Sequence, residues 1–277
     1  MAVYEQYRSV EAGEVSLDGL DVEIAVTQPK DDSLEFEVSV WNLTDDTWSK
    51  IESGDLCRVE LGWGGGPVET VVLGEIDTLN RTSDGRDIEH TIAGVDETEA
   101  ALKVRPKGRT WKDKRVDQIA SELVSGVGLS AQTEAAGPPI SGTWSVTADK
   151  TVSKWLDDLI QIAANKTGVE WEWFSTAGQV HVLPRSSKAS DAPKLSYGGM
   201  LTSIGEKSST DDDTEGQLTF EAMCEPRIAK GAAVAVETEQ FSGGYRVSDY
   251  EFSSSTVSGD HFVEGTLTPI DADYSIA

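Results

Sequence analysis

The sequence predicts a mainly β protein with an α+β insertion, in which two similar antiparallel β-barrel (tube) domains flank a small module of two helices and a hairpin. Three observations predict this class. Apolar and polar residues alternate with period two from Gly19 to about Leu102, the period becomes helical from about Pro106, and strand-like alternation returns at Leu195. We therefore expect a first barrel at 1–105, an insertion at 106–185, a linker at 186–194 and a second barrel at 195–277.

The strands of the first half are visible as alternating segments separated by short breaks. "DVEIAVTQ", "LEFEVSVWNL", "CRVELGW", "TVVLGEIDTLNR" and "DIEHTIAGVD" each place apolar residues at every second position, and the breaks are rich in Gly, Asp and Asn. This pattern is typical of an antiparallel sheet or barrel. The exception is "LTDDTWSKIESG", which predicts a short helix that Thr44 caps and Gly54 ends.

The insertion combines two amphipathic helices with a hairpin. "TWKDKRVDQIASELVSGVG" and "TVSKWLDDLIQIAANKTG" carry apolar residues at helical spacing, and we expect the helices to stop at Gly128 and Gly168. "VEWEWF" and "QVHVLP" follow as two strands around a turn at Ser175–Gly178. The polar stretch "SSKASDAP" then predicts a linker.

The C-terminal block repeats features of the first half. The segments "IESGDLCRVE" and "IAKGAAVAVE" share four positions, and "GEIDTLNR" and "HTIAGV" are echoed downstream by "YRVSDYEF" and "FVEGTL". We interpret this as a duplicated β-domain on either side of the insertion. The shared positions are Ile51/Ile228, Gly54/Gly231, Val59/Val236 and Glu60/Glu237, with Gly54 and Gly231 as equivalent turns.

The charge of the chain is strongly negative. Forty-nine Asp and Glu face 23 Lys and Arg, for a net charge of −26, and a basic surface that binds nucleic acid is therefore excluded. Either the carboxylates form a hydrated shell that suits molar salt, or they form a calcium-binding or cation-steering surface. The acids are scattered through every segment, which favours the hydrated shell and predicts a haloarchaeon, or one of its viruses, as the source.

Cysteine usage and the N-terminus exclude several protein classes. Cys57 and Cys224 lie far apart, and no CxxC or Cys/His cluster predicts a zinc site. We expect buried free thiols and leave a disulfide between these two residues open. The absence of an apolar signal region and of any 18-residue apolar run predicts a soluble chain without a cleaved signal.

The glycine run "GWGGGP" raises the possibility of a phosphate-binding loop. Such a loop runs into a helix N-terminus and is usually followed by Lys and Ser or Thr, whereas Pro67 and a strand pattern follow here. We therefore predict a hairpin corner, matched by a second glycine-bearing turn in "ETEQFSGGYRV". The residues of these two loops are our candidates for contacts with neighbouring proteins: Trp63, Gly64, Gly65, Gly66, Phe241, Gly243 and Gly244.

No catalytic, metal or cofactor site is predicted. His90, His181 and His261 each lie in a strand pattern without a second ligand nearby, so we expect structural or surface roles. No G-x-S-x-G motif or nucleophile–base set supports a hydrolase. The acidic stretch "STDDDTEG" lacks the ligand spacing of a calcium loop and predicts a solvated hairpin loop.

The eight tryptophans leave one alternative function open. Trp155, Trp171 and Trp173 fall on apolar faces, where core packing accounts for them. Aromatic clefts also bind sugars, so a carbohydrate- or receptor-binding protein remains the alternative to a purely structural protein.

The order of the segments resembles the baseplate hub and tail-tip hub proteins of tailed phages, together with the late control and spike-hub proteins of contractile injection systems. The stretches that carry the resemblance are "VWNLTDDTWSKIESGDLCRVELGWGGG", "VVLGEIDTLNRTSDGRDIEHTIAGVDETEAAL", "TVSKWLDDLIQIAANKTGVEWEW…GQVHVLP" and "CEPRIAKGAAVAVET…GGYRVSDYEFSS". They span about residues 20–270. One departure is "HFVEGTLTPI", which lacks the Trp that this family's C-terminal strands commonly carry.

The resemblance implies a structural virion protein and not an enzyme. It implies a homotrimer whose six β-domains form a ring, with a tail tube or distal tail protein on one side and a spike, fibre or tail-tip protein on the other. Viral DNA would pass through an acidic lumen without specific binding, and the chain would reside in the tail, baseplate or tail tip. Because no spike, lysozyme or peptidase extension follows, any cell-wall-degrading activity would belong to another protein.

Overall fold

The computed structural model describes residues 5–29, 33–83, 85–133, 136–184, 192–207 and 216–270. Two compact units divide the chain. The first contains the described residues of Met1–Asp96 and Ser190–Pro269, and the second contains those of Glu97–Ala189 together with Ile270. No helix among the described residues is both long enough and apolar enough to cross a membrane.

Strands dominate the described chain, and the helices are few. In chain order the elements are β1 (Gln6–Ala12), β2 (Val15–Ser16), β3 (Val22–Gln28), β4 (Glu35–Trp41), α1 (Asp45–Trp48), β5 (Leu56–Trp63), β6 (Val68–Ser83), β7 (Ile88–Asp96), α2 (Glu97–Leu102), β8 (Arg109–Lys112), α3 (Val116–Ser125), β9 (Ser130–Gln132), β10 (Thr143–Val146), α4 (Val152–Thr167), β11 (Trp171–Thr176), β12 (Gln179–Pro184), β13 (Lys194–Leu195), β14 (Leu201–Glu206), β15 (Leu218–Met223), β16 (Ala233–Glu237), β17 (Ser242–Ser255) and β18 (His261–Pro269).

One large sheet carries the first unit. Its strands follow in the order β14-β15-β18-β17-β3-β4-β7-β6-β5-β1-β2, with β16 paired to β17 and β13 to β16. Neighbours along this order are antiparallel, whereas β13 is parallel to β16. The mainly β class is confirmed. The strands of the two predicted β-domains do not form two separate sheets, however. β17 of the C-terminal half pairs directly with β3 of the N-terminal half, so both halves share one sheet.

The large sheet contains the same five-strand arrangement twice. In the first copy the spatial order is β3-β4-β7-β6-β5, and in the second it is β14-β15-β18-β17-β16. Both copies therefore place their first, second, fifth, fourth and third strands side by side in that order. This shared topology supports the internal duplication that the sequence predicted.

Hydrogen bonds at the entrance to the third strand repeat as well. Gly54 donates its backbone N–H to the carbonyl of Ile76 at 2.7 Å, and Gly231 donates its N–H to the carbonyl of Val247 at 2.8 Å. Both glycines have left-handed backbone conformations, with φ of +93° and +77°. A residue without a Cβ adopts this region at little cost, which explains glycine at both positions. Gly54 and Gly231 thus make matching hydrogen bonds at the same place in the two copies.

The irregularities of the fourth strand also match between the copies. A β-bulge interrupts the pairing of β6 with β7 between Ile76 and Thr78, and another interrupts the pairing of β17 with β18 between Val247 and Asp249. A bulge inserts an unpaired residue and bends its strand, so its position is a specific feature of a fold. These bulges align Ile76 with Val247 and thereby fix which residues of the two copies correspond.

The core of the first unit lies against one face of the large sheet. Alternation places Ile24, Val38, Val59 and Phe252 on this face, and all of them are buried. Burial of a side chain of this size stabilises a fold by about 1.5–3 kcal/mol. The opposite face is mainly polar, as expected for an antiparallel sheet with only one covered face.

The second unit packs α3 and α4 against short strands. Its β11–β12 hairpin pairs with β9, and β8 pairs with β10. Thr151 caps α4 by accepting the N–H of Lys154, and Gly168 ends it with a φ of +71°. The predicted stop at Gly168 and the hairpin around Ser175–Gly178 are confirmed.

Two predicted helix ends are wrong. Thr44 caps α1 as expected, but the helix stops after one turn at Trp48, and Gly54 serves the following turn instead. Helix α3 ends at Gly126 and not at Gly128. Both errors have the same cause, because a left-handed glycine in a later turn gives the same sequence signal as a helix stop.

Several short elements were not predicted. β1 and β2 precede the segment that we read as the first strand, and α2 falls inside the predicted first barrel. Of the predicted linker, residues 186–191 lie outside the described residues, while Lys194 and Leu195 form β13. Positions 208–215 of the predicted acidic loop also lie outside the described residues.

We expect Gly54→Ala and Gly231→Ala to destabilise the first unit equally. A Cβ in the left-handed region costs about 1–2 kcal/mol, and the two turns are equivalent. The measurement is the free energy of unfolding from urea titration.

The control is Gly205→Ala in β14, where a Cβ meets no heavy atom within 4 Å and φ lies outside the left-handed region. Its stability should stay within about 0.5 kcal/mol of the parent chain. If one turn variant is destabilised and the other is neutral, the equivalence of the two turns is wrong.

Candidate functional site

The polar face of the large sheet carries a row of carboxylates. Glu251 of β17 lies directly opposite Glu264 of β18, which in turn lies opposite Glu221 of β15. Like charges at directly opposed positions of a sheet destabilise it. The protein therefore retains three adjacent negative charges on this face at some expense in stability.

Two depressions lie on the same face, and acidic residues contribute to both. The first is lined on β17 and β18 by Asp249, Glu251 and Glu264, and the second on β3 and β4 by Glu23 and Glu37. Neither depression has a tryptophan in its lining. A surface of this composition attracts cations and repels the phosphates of nucleic acid.

A buried polar cluster joins the two halves of the first unit. The Trp63 indole N–H donates to the carbonyl of Cys224 at 2.6 Å, and the indole lies edge-on to the His261 ring with centroids 4.8 Å apart. His261 Nε2 lies 2.8 Å from the carbonyl oxygen of Gly62. β5 of the first copy is thereby tied to β18 and to the end of β15 in the second.

The neighbours of His261 fix its tautomer. Arg8 Nε donates to Ser254 Oγ at 2.9 Å, and that hydroxyl lies 2.8 Å from His261 Nδ1. Since a carbonyl can only accept, Nε2 carries the proton that it donates to Gly62, and Nδ1 accepts from Ser254. Burial, with a smaller contribution from the Arg8 charge, holds the His261 pKa below its usual value. The folded protein therefore favours the neutral ring.

The glycine run forms the predicted hairpin corner. β5 and β6 are antiparallel on either side of it, and Gly65 takes a φ of +80°. Gly64 donates its N–H to the carbonyl of Glu5, and Gly66 donates its N–H to the carbonyl of Trp63. These donors are bonded within the chain, so the loop does not present them to a phosphate.

The expectation that Trp63 lies at the tip of this hairpin is wrong. Trp63 is the last residue of β5 and only 7% exposed, because its indole is enclosed by Cys224 and His261. Its side chain is therefore enclosed within the chain. Gly64, Gly65 and Gly66 are exposed.

The second predicted glycine turn is placed differently from expectation. Thr238 and Phe241 close the turn through a bond from the Thr238 N–H to the Phe241 carbonyl at 2.9 Å. Gly243 and Gly244 lie beyond it in β17, paired with β16. From the sequence alone, glycines within a strand are hard to distinguish from glycines in a turn. A glycine has no side chain that would show which face of the sheet it lies on.

The tryptophans of the second unit pack around its core. The rings of Trp111 and Trp144 are 5.5 Å apart, and those of Trp144 and Trp155 are 5.8 Å apart. The indole N–H groups of Trp111, Trp155 and Trp173 donate within the chain. This arrangement satisfies and covers much of the aromatic surface that a sugar-binding cleft would display.

The described residues contain no cluster of three or more His, Cys, Asp or Glu that could hold a metal ion. Cys57 and Cys224 are buried free thiols, and burial raises the pKa of each to about 12. Neither thiol is therefore activated as a nucleophile at neutral pH.

The carboxylate row was not predicted, because alternation shows which residues face outward but not which of them lie opposite each other.

Comparison with solved structures shows that the fold is that of phage tail proteins. The 43 kDa tail protein of prophage MuSo2 from Shewanella oneidensis matches with a TM-score of 0.64 and 15% identity, covering 97% of this chain and 99% of its own. A tail protein from Neisseria meningitidis MC58 matches with 0.63 and 13%, covering 95% and 96%.

A third similar structure comes from a secretion system. The E. coli c3393 protein, a component of the type VI secretion system with structural similarity to the T4 tail proteins gp27 and gp5, matches with a TM-score of 0.58 and 8% identity. The match covers 96% of this chain and 78% of that one. No protein-family model matches the sequence, and neither does any curated protein.

We expect the stability of the first unit to fall as pH drops below about 6.5, and His261 to account for part of the fall. The folded state holds the His261 pKa below 6.5, so the unfolded chain binds the proton first and is favoured by acid. The slope reaches at most about 1.4 kcal/mol per pH unit for one proton, and it ends once pH passes below the folded pKa.

The measurement compares unfolding free energies from pH 7.5 to 5 for the parent chain and His261→Asn. His90 and His181, whose pKa values burial also lowers, are present in both, so the difference isolates His261. Parallel pH profiles would show that His261 does not titrate as described.

We expect Glu264→Gln to stabilise the first unit at low ionic strength. Glu264 faces a carboxylate on each side, and relief of the two opposed pairs should contribute about 0.5–1 kcal/mol. The gain should vanish in about 1 M salt, where charges are screened within about 3 Å.

The matched control is Glu35→Gln. Glu35 is exposed on the same face but lies opposite Thr27 and Val95, so it should show no gain at either salt concentration. Equal effects of the two variants would mean that net charge, and not the row, governs the response.

Proposed function

We propose that this protein is a structural component of a phage-type tail, namely a baseplate or tail-tip hub that assembles as a homotrimer. The observation that carries the proposal is the five-strand arrangement that occurs twice in one chain. The fold, which is similar to that of phage tail proteins over nearly the whole chain, is compatible with this proposal. Under this proposal the chain is not an enzyme.

The duplicated arrangement suits a change of symmetry. Three chains with two similar β-domains each supply six domains, which match a six-fold tail tube or distal tail protein on one side. The same particle keeps three-fold symmetry for a spike, fibre or tail-tip protein on the other side. We retain the proposed domain limits of 1–105 and 195–277 for the two tube domains and 106–185 for the insertion.

The carboxylate face suits a channel for DNA. Directly opposed Glu251, Glu264 and Glu221 repel phosphates, so DNA passing such a surface would not bind to it. We therefore place the polar face of the large sheet toward the lumen. The overall acidity further suits a virus of a haloarchaeon, in whose cytoplasm the protein would be made before it joins the virion tail.

The exposed loops are the proposed contacts with neighbouring tail proteins. Gly64, Gly65 and Gly66 lie at the tip of the β5–β6 hairpin, and Phe241 lies at the β16–β17 turn. These two hairpins are equivalent in the two copies, so they would present similar contacts six times around the ring. The alternative of a receptor-binding protein is less well supported, because Trp63 is enclosed inside the first unit and the tryptophans of the second unit pack around its core.

We expect the purified chain to form a particle of three subunits of 29.8 kDa each in light scattering. Because like-charged subunits repel, the trimer should be favoured by added salt. Negative-stain images of the particle should show a ring with a central channel.

A glycan array tests the receptor-binding alternative on the same sample. A monomer that stays monomeric at tens of micromolar in both low and high salt would contradict the proposal. Selective glycan binding by that monomer would favour the alternative.

A further inference from the structure

Among the strands of the two five-strand copies, β14 and the end of β6 each have an edge that no described strand covers. β14 pairs with β15 on one side only, and it is the first strand of the sheet order. β6 pairs with β7 along most of its length, whereas β5 covers its other side only from Val68 to Glu75. The stretch Thr78–Ser83 therefore has a second edge that no described strand occupies. Open edges of this kind readily accept another strand.

The second copy of the repeat shows what covers the equivalent edge. β17 is the counterpart of β6, and β16 pairs with its first part, as β5 does with β6. The remaining part of β17 does not stay open, because β3 pairs with it in antiparallel fashion from Tyr250 to Ser255. β3 is the first strand of its own copy and hence the counterpart of β14.

The junction inside the chain therefore joins the first strand of one copy to the fourth strand of the other. The counterparts of these two strands are β14, the first strand of the second copy, and β6, the fourth strand of the first copy, and neither has such a neighbour among the described residues. Their counterparts β3 and β17 pair with each other, whereas β14 and β6 do not pair with each other within the chain. A repeat of the internal junction between chains would fill both edges at once.

We propose that β14 of one copy of this chain adds to the Thr78–Ser83 edge of β6 in the next copy, in the register of the internal β3–β17 junction. The contact is head to tail, so each chain donates β14 on one side and accepts a neighbour's β14 on the other. The inference rests on the proposed ring, and it adds the surfaces and register by which that ring would close.

The register follows from the correspondence of the two copies. The bulges align Arg81 with Phe252, and the β14–β15 and β3–β4 pairings align Glu206 with Val26. Phe252 pairs with Val26 inside the chain. The equivalent pair between chains is therefore Arg81 with Glu206.

The residues brought together by this register are complementary. Arg81 and Glu206 are both exposed and carry opposite charges, which stabilise directly opposed positions. Asp45 already holds Arg81 at 2.7 Å, which orients the guanidinium at this edge. The next position pairs Thr82 with Gly205, where a Cβ has room. No like charges are opposed within the described residues of the register.

Disulfide trapping tests the register directly. We expect the double variant Thr82→Cys, Gly205→Cys to convert under mild oxidation into covalent trimers, because paired residues lie within the 4.4–6.8 Å that a disulfide spans between Cα atoms. A mixture of the two single variants should give covalent dimers only. The native cysteines are buried, so they do not compete.

The control is Asn80→Cys with Gly205→Cys, which shifts the pair by two residues. Diagonal positions in a sheet are about 7–8 Å apart, beyond the reach of a disulfide, so few covalent oligomers should form. A disulfide within one chain, or equal yields from both double variants, would overturn the proposal.

Charge exchange supplies an independent readout on the uncross-linked protein. We expect Arg81→Glu to weaken self-association by about tenfold or more, because it places two carboxylates opposite each other in the Arg81–Glu206 pair. Glu206→Arg should have the same effect, because it places two guanidinium groups opposite each other. The double exchange should restore association.

Light scattering of the parent chain separates the two levels of inference. The parent chain could form a trimer while the Thr82→Cys, Gly205→Cys variant gives no covalent trimers and the double charge exchange does not restore association. That result would refute the proposed pairing of β14 with β6 and leave the proposed hub unaffected. A parent chain that remains monomeric would refute both.

Discussion

The antiparallel pairing of β3 with β17 is the constraint on which the rest of the first unit depends. It joins two copies of one five-strand arrangement into a single sheet, and it brings together segments more than 200 residues apart. The cluster of Trp63, Cys224 and His261 adds a second bond between the copies, on the core side of the sheet.

The polar face shows a balance between stability and electrostatic character. Three opposed glutamates weaken the sheet that carries them, yet their strands are held by long ladders on either side. A protein that needed only stability would place Thr or Lys at one of these positions, as it does at Thr27 beside Glu251. The row therefore gives this face a strongly negative character at a cost in sheet stability.

Much of the architecture was predictable from local patterns, whereas the arrangement of the two copies was not. Alternation identified the main strands, Thr151 and Gly168 marked α4, and the equivalence of Gly54 and Gly231 came from the sequence. Alternation does not report which strands are neighbours, so the β3–β17 junction and the carboxylate row were missed. Trp63 was misplaced for a related reason, since its partner Cys224 lies in the other copy and no local signal announces it.

The difference between the two junctions fits the order of events in folding and assembly. Inside the chain, Phe252 and Val26 meet as soon as the first unit folds, so this pair can be apolar and fully buried. No described strand covers the edge of β14 or the Thr78–Ser83 edge of β6, and exposed Phe and Val there would invite aggregation. Arg81 and Glu206 at the equivalent positions keep the open edges hydrated and still complementary. Divergence of the two copies at this pair is therefore expected if one junction forms within a chain and the other between chains.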